Sequence, residues 1–287
     1  MEKDAVIRPI RAEDIEACGQ VLYRSFRHVA ESHGFPPELP TLAYAMRVAV
    51  SCAMHPATYG VVAVLKGELV GSGFIDQRDQ IFGIGPVSVD VELQGSGIGR
   101  RLMEVLMDKG RKAAGIRLVQ DAFNTLSLGL YASLGLAVKQ PLAQMNGRPR
   151  SRPAADVKVR PMTKRDLKSC ADLYLRVHGV RRINESRDAL RLKSAFVLVR
   201  DGRIRAYTTG LAYWGHGAAE TTKDMQDLIL GAETYMLDPL NFIVPLRQAE
   251  LFRWCLDQGL RLVKPMNMMA TGLYQEPRGC FFPSAIY

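Results

Sequence analysis

With 287 residues, 47% of them hydrophobic, and a formal net charge of +9, the chain is long enough for one large or two ordinary globular domains with full cores. No apolar run approaches the length needed to cross a bilayer, and residues 1–10, which include Glu2, Lys3, Asp4 and Arg8, lack the apolar stretch of a signal peptide. Cys18, Cys52, Cys170, Cys255 and Cys280 are odd in number and form no C-x-x-C pair. That argues against a disulfide framework or a metal site, and for a cytoplasmic protein whose cysteines are small buried hydrophobes.

The first half reads as a strand over 5–10, helices near 12–29 and 38–52, and strands over 59–65, 68–75 and 81–89, with a Gly67 turn making a hairpin of the first two in that trio. Then comes the most informative stretch. Val87, Ser88 and Val89 lead through Asp90, Val91, Glu92 and Leu93 into Gln94-Gly95-Ser96-Gly97-Ile98-Gly99-Arg100, a strand feeding a glycine-rich turn that opens a helix. Alternate glycines let the chain turn and let a ligand approach the backbone with no Cβ in the way. The N–H groups of the first helical turn then point at whatever binds there. A diphosphate suits that positive helix end, while an ordinary tight turn into a helix is the plainer alternative. Ile98, Leu102, Val105, Leu106 and Lys109 recur at helical spacing. A strand over 117–120, a helix over 125–134 and a last strand pair after Gly135 complete the half.

The second half repeats the first. Ile7-Arg8-Pro9-Ile10, followed by Asp14 and Cys18, returns as Val159-Arg160-Pro161-Met162, followed by Asp166 and Cys170. Gly135-Leu136, Val138, Pro141 and Met145 are echoed by Gly259-Leu260, Leu262, Pro265 and Met269. Two correspondences in one order argue for a duplicated domain. The expected boundaries are a first domain over 1–147, a Gly-, Pro- and charge-rich linker over 148–155 and a second domain over 156–287. In the second, a strand over 157–161, a helix over 164–177 and a hairpin at Asp201-Gly202 copy the order of the first, which predicts a mixed sheet flanked by helices. Where the second half should have its glycine turn stands Tyr213-Trp214-Gly215-His216-Gly217, with Glu220 near the predicted helix start, where it would repel a phosphate. The safer reading of His216 is a surface loop residue. The apolar tail over 278–287 is expected to pair as a strand.

The glycine turn and the segment that follows resemble the GNAT superfamily of N-acetyltransferases. The family's Arg/Gln-x-x-Gly-x-Gly/Ala loop is matched by Gln94-Gly95-Ser96-Gly97-Ile98-Gly99, and its Asn-x-x-Ala/Ser-x-x-Leu-Tyr-x-x-x-Gly element by Asn124, Ser127, Leu130, Tyr131 and Gly135. The resemblance implies two tandem GNAT-like domains of α/β (α+β) class, each a mixed, mostly antiparallel sheet flanked by helices, with the second degenerate. It also implies acetyl-CoA as co-substrate. The backbone of Val87, Ser88 and Val89 would pair with the pantetheine amides. Gln94, Gly95, Ser96, Gly97, Ile98, Gly99 and Arg100 would bind the diphosphate, Asn124 would hold the pantetheine arm, and Tyr131 would protonate the departing thiolate. Val91 stands where many members have Pro, and Val119 where some place a Glu base.

For the base that activates the amine, Asp121 is the nearest candidate, with ordered water an equal one; Asp90, Glu92, Glu68 and Asp76 read as surface carboxylates. The expected function is transfer of an acetyl group from acetyl-CoA to a primary amine, the acceptor being a small molecule. The alternatives are a non-catalytic acyl-CoA sensor and an NAD-dependent dinucleotide enzyme, the latter failing because Arg100 stands where G-x-G-x-x-G/A needs its last small residue. Basic residues concentrate after Gly147, but without interleaved aromatics, which disfavours nucleic acid as a partner. Neither a membrane nor a metal is expected as a partner, and a homodimer is left open.

Overall fold

The computed structural model describes residues 5–286; the reading of residues 1–4, and of the final residue of the tail, lies outside the described residues. By its contacts the chain divides into two compact units. One comprises the residues up to Leu118 with Ala122–Ala137, the other Val119–Asp121 with Val138–Ala285.

The first unit runs β1 (Val6–Pro9), α1 (Ile15–Ser32), α2 (Leu42–Met54), β2 (Thr58–Leu65), β3 (Glu68–Asp76), β4 (Ile81–Val89), α3 (Ile98–Lys109), β5 (Gly115–Asp121, its last three residues in the second unit) and α4 (Thr125–Ser133). The strands lie in the order β1-β2-β3-β4-β5, antiparallel except for the parallel β4–β5 pair. Lys66 and Gly67, at φ 52° and 86°, form the tight hairpin turn that suits the strand twist. Helix α2 begins four residues later than its sequence pattern suggests. Pro36, Pro37 and Pro40 break the preceding segment, and the Thr41 side chain accepts from Tyr44 N–H at 3.2 Å to start the helix.

On α3 the buried residues are Ile98, Leu102, Met103 and Leu106. Lys109, counted in the periodic stripe, is instead exposed, with its ammonium 4.5 Å from the centre of the Tyr59 ring. Met103 fills the apolar position. The long aliphatic stem of lysine makes it look like a stripe residue while its charge keeps it in water.

The second unit contains β6 (Ala137–Gly147, all but its first residue), β7 (Lys158–Pro161), α5 (Leu167–His178), α6 (Asn184–Arg191), β8 (Phe196–Arg200), β9 (Arg203–Thr208), β10 (Gly217–Ala219), α7 (Thr222–Glu233), β11 (Leu240–Pro245), α8 (Ala249–Asp257), β12 (Arg261–Gly272) and β13 (Cys280–Phe282). One antiparallel sheet has the order β13-β10-β9-β8-β7, and β12, β6 and β11 are neighbours in another. Strand β6 is one continuous element rather than the expected pair. Its residues Leu142 to Met145 are all buried, so burial on both faces erases the alternation that would have marked its length. The tail pairs as expected, with Ala218 of β10 opposite Phe281.

The repeated sequence marks a repeated clamp. Arg8 grips Asp14 through two bonds of 2.6 and 2.8 Å, and Arg160 grips Asp166 through two of 2.7 and 2.9 Å. Each aspartate also accepts a backbone N–H at the helix entrance, from Arg11 at 2.7 Å and from Thr163 at 2.8 Å. Arg160, with the Thr163 donors, holds the Asp166 carboxyl down at about 2. Its stabilisation is therefore complete above the unfolded value of about 4 and disappears as pH falls through about 2. Asp166→Asn should destabilise the protein at pH 7 by about 1–2 kcal/mol, since half-exposed Arg160 shares its charge with water. Denaturant titrations should show the difference vanishing near pH 2.

Candidate active site

Strand β4 carries the chain to the glycine turn. Val87, Ser88 and Val89 pair with Gly73, Ser72 and Gly71 of β3, and the Ser88 and Ser72 hydroxyls lie 2.9 Å apart. On the other edge the pairing of β4 with β5 is confined, among the described residues, to Ile81–Gly83 with Gly115–Arg117. Between these regions Gly85 and Pro86 together oppose Phe74, a bulge that redirects the strand. Pro86 also has no N–H to give to a neighbour. The carboxyl end of β4 thereby parts from β5, and its second edge has the donor and acceptor pattern of an unextended sheet.

The turn itself is held by its own residues. Leu93 N–H donates to Asp90 O at 2.9 Å, Ser96 Oγ to Leu93 O at 2.6 Å, and Gln94 Nε2 to Val89 O at 3.4 Å. Gly95 and Gly97 take left-handed φ values of 81° and 91°. A Cβ at either would meet nothing within 4 Å, so backbone conformation, not crowding, selects glycine there. Gly99 differs. A Cβ would lie 3.6 Å from both Leu130 of α4 and Val89 of β4, so the start of α3, the end of β4 and α4 converge at this residue. The first bond of the α3 ladder runs from Arg101 N–H to Gly97 O at 3.1 Å, and Gly97 supplies no side-chain cap. The amides of Ile98, Gly99 and Arg100 therefore form an uncapped, positive helix end. The Arg100 guanidinium turns away to Ser133 Oγ at 2.6 Å, leaving its backbone N–H as its contribution to the turn.

Asn124 is the N-cap of α4, its side-chain oxygen accepting from Ser127 N–H at 3.1 Å. The amide NH₂ is the part of the side chain that can face a ligand. Tyr131 lies half-buried on the same helix, next to the Leu130 that reaches Gly99. Asp121 ends β5 and belongs with the second unit, where its Oδ1 lies 2.6 Å from the Nζ of Lys264 on β12. Burial raises the Asp121 carboxyl and lowers the Lys264 ammonium from their ordinary values, and the contact between the two groups opposes both shifts. The other carboxylates considered are engaged or in solvent. Asp90 pairs with Arg24 at 2.8 Å, Asp76 pairs with Arg78, and Glu68 and Glu92 are exposed.

Sequence reasoning missed Lys264. Its signal lay in the repeat, where Lys264-Pro265 answers Gln140-Pro141, and in the alternation that puts Lys264 with Met266 and Met268 on a buried face.

In the second unit the counterpart helix α7 is closed. Thr221 caps it, accepting from Asp224 N–H at 3.1 Å, and Glu220 is neutralised by Arg205 and Arg176 at 2.5 and 3.0 Å. His216 is not a surface residue as expected. It is 1% exposed, its Nδ1 is 3.1 Å from Glu185 and its Nε2 is 3.0 Å from the Tyr207 hydroxyl. Glu185 also pairs with Arg182, and such partners let an imidazole sit in a core.

A family profile described as the acetyltransferase (GNAT) family matches residues 20–136. Over those residues the chain is similar to the GNAT acetyltransferases, enzymes that transfer acyl groups from acyl-CoA. No curated protein matches the sequence. Among solved structures, a candidate acetyltransferase from Pyrococcus horikoshii is 19% identical, with a TM-score of 0.71 over 100% of this chain and 94% of that one. A GCN5-related N-acetyltransferase from Sphaerobacter thermophilus is 12% identical, with a TM-score of 0.63 over 96% and 99%. A tandem GNAT protein from the clavulanic acid biosynthesis pathway is 13% identical, with a TM-score of 0.59 over 93% and 98%. At these identities the likeness is one of fold.

If Asn124 acts first as a cap, Asn124→Ala should lower stability by about 1 kcal/mol and Asn124→Asp, which keeps the acceptor oxygen, should not. Thermal melts of the two variants check this.

Proposed function

We propose that the protein transfers an acetyl group from acetyl-CoA to a primary amine of a small molecule by direct attack. The observation that carries the reading is the pairing of an open edge at the carboxyl end of β4 with the uncapped amino end of α3. A pantetheine arm has amides that can extend β4 as a strand would, and a diphosphate suits free amides at a helix end. On this reading the backbone of Val87 and Val89 pairs with the arm, the amides of Gly95 and of Gly97 through Arg100 take the diphosphate while the Ser96 N–H is held by Leu93 O at 3.2 Å, and the NH₂ of Asn124 donates to the arm.

The chemistry follows from the groups at hand. The amine attacks the thioester carbonyl as the free base, forming the N–C bond; the C–S bond then breaks and the thiolate leaves. Tyr131 donates its phenol hydrogen to that sulfur, which stabilises charge as it develops. The amine's proton passes to Asp121, whose carboxyl burial raises above the ordinary carboxylate range, as suits a general base. The glycine turn, Asn124 and Tyr131 with Asp121 supply this chemistry, and the remainder of the second unit, in which 148–155 lie, acts as support with no nucleotide loop of its own.

Among the described residues no helix is long and apolar enough to cross a membrane. Five cysteines without a disulfide accord with a reducing compartment, and we assign the protein to the cytoplasm.

Free thiol release from acetyl-CoA, followed with n-butylamine, spermidine, amino-acid amides and a dipeptide, tests the reading; no acceleration by any amine would count against it. Gly97→Glu should abolish acetyl-CoA binding in calorimetry, because it strains the left-handed turn and sets a carboxylate beside the diphosphate. Tyr131→Phe should leave that binding intact and lower kcat by about 10²-fold.

A further inference from the structure

A buried ion pair, Asp121 with Lys264, stands at the end of β5. Along β12, Lys264, Met266 and Met268 are all buried, and the Lys264 side chain has 0% exposure. A lysine in such a place needs an anion in contact, because the cost of stripping water from an ammonium is otherwise uncompensated. Asp121 provides it at 2.6 Å, itself 12% exposed. The ring of Tyr213, from the loop before β10, lies 5.9 Å from Nζ. Val119, Tyr213 and Tyr274 border the adjoining apolar cluster of Leu142, Ile243, Met266 and Met268. The polar groups around Tyr274 are Lys139, 5.4 Å from its ring, and Gln140, which donates to the Tyr274 hydroxyl at 2.8 Å and to Glu276 at 3.0 Å.

We propose that Lys264 is a positioning residue for acyl transfer: it holds Asp121 in one orientation and sets how readily that carboxylate accepts the proton of the attacking amine. This rests on Asp121 being the base. Two effects oppose each other at Asp121. Burial favours the neutral acid, and an ammonium in contact favours the carboxylate. Without Lys264, burial acts alone and Asp121 holds its proton to higher pH. In the reaction the proton leaves the amine nitrogen as the N–C bond forms and comes to rest on Asp121 beside the Lys264 ammonium. The thiolate takes its own proton from Tyr131, and both groups exchange with solvent after turnover.

The test is the pH profile of kcat/KM for the full chain with acetyl-CoA, using n-butylamine as acceptor or, where the amine adds nothing, water in slow hydrolysis. Lys264→Met and Lys264→Gln should move the acid limb upward by about one pH unit or more and leave acetyl-CoA affinity unchanged. Lys264→Arg, which keeps the cation, should leave the limb near its original position. A neutral variant that loses rate equally at every pH, with the limb unmoved, would overturn the inference and leave Lys264 a packing residue. Should neither neutral variant fold, the arginine variant decides: a limb held in place supports the inference and a displaced one refutes it. Asp121→Asn separates the two levels. If it keeps the limb, Asp121 is not the base; if it loses the limb while the neutral lysine variants keep it, only the role of Lys264 fails.

Discussion

The candidate site depends on a backbone conformation that only glycine adopts easily. Gly95 and Gly97 turn the chain through left-handed φ between β4 and α3, and that turn leaves the first amides of α3 without a side-chain cap. Any other residue would have to pay for the same turn with strain of about 1–2 kcal/mol at each position. The space around both positions is empty, so the requirement lies in the chain and not in its neighbours. Gly99 has a different role, lying in ordinary contact distance of β4 and α4 and bringing the three elements together. The bulge at Gly85 and Pro86 acts upstream of all this, because a β4 zipped to β5 along its full length would have no edge to offer.

The second half shows what happens when that constraint is lifted. Its strand-into-helix unit keeps the arginine–aspartate clamp of the first half, since both clamps perform the same structural task at a helix entrance. Its counterpart of the open helix end is closed by Thr221 and Asp224, and a nearby glutamate is matched by two arginines. Polar capacity has moved inward instead, into the contacts among Arg182, Glu185, His216 and Tyr207. A charged group in such a network is held by partners on other elements, so losing one partner strands the rest.

Much of this was legible along the chain. The hairpin turns, the glycine turn, the repeat and the order of strands and helices depend on residues close in sequence, where local rules act directly. The errors have equally local causes. Helix α2 starts late because proline and a threonine cap outweigh its apolar pattern. Lys109 imitates a core position through its stem, and β6 hides its length because it is buried on both faces. At the site, Gln94, the three glycines and Asn124 were visible as a motif, but the cap made by Asn124 and the diversion of the Arg100 side chain to Ser133 were not.

The sequence by itself determined that there are two related halves, that one carries a glycine turn between strand and helix and that the other lacks it. Those properties reside in residue identity and short-range spacing. Only the tertiary structure decided that β4 parts from β5, that His216 is buried between a carboxylate and a phenol, and that Asp121 meets Lys264. Each of these joins groups far apart along the chain. Burial and contact set the charge state of such groups, and neither is written in any single stretch of sequence.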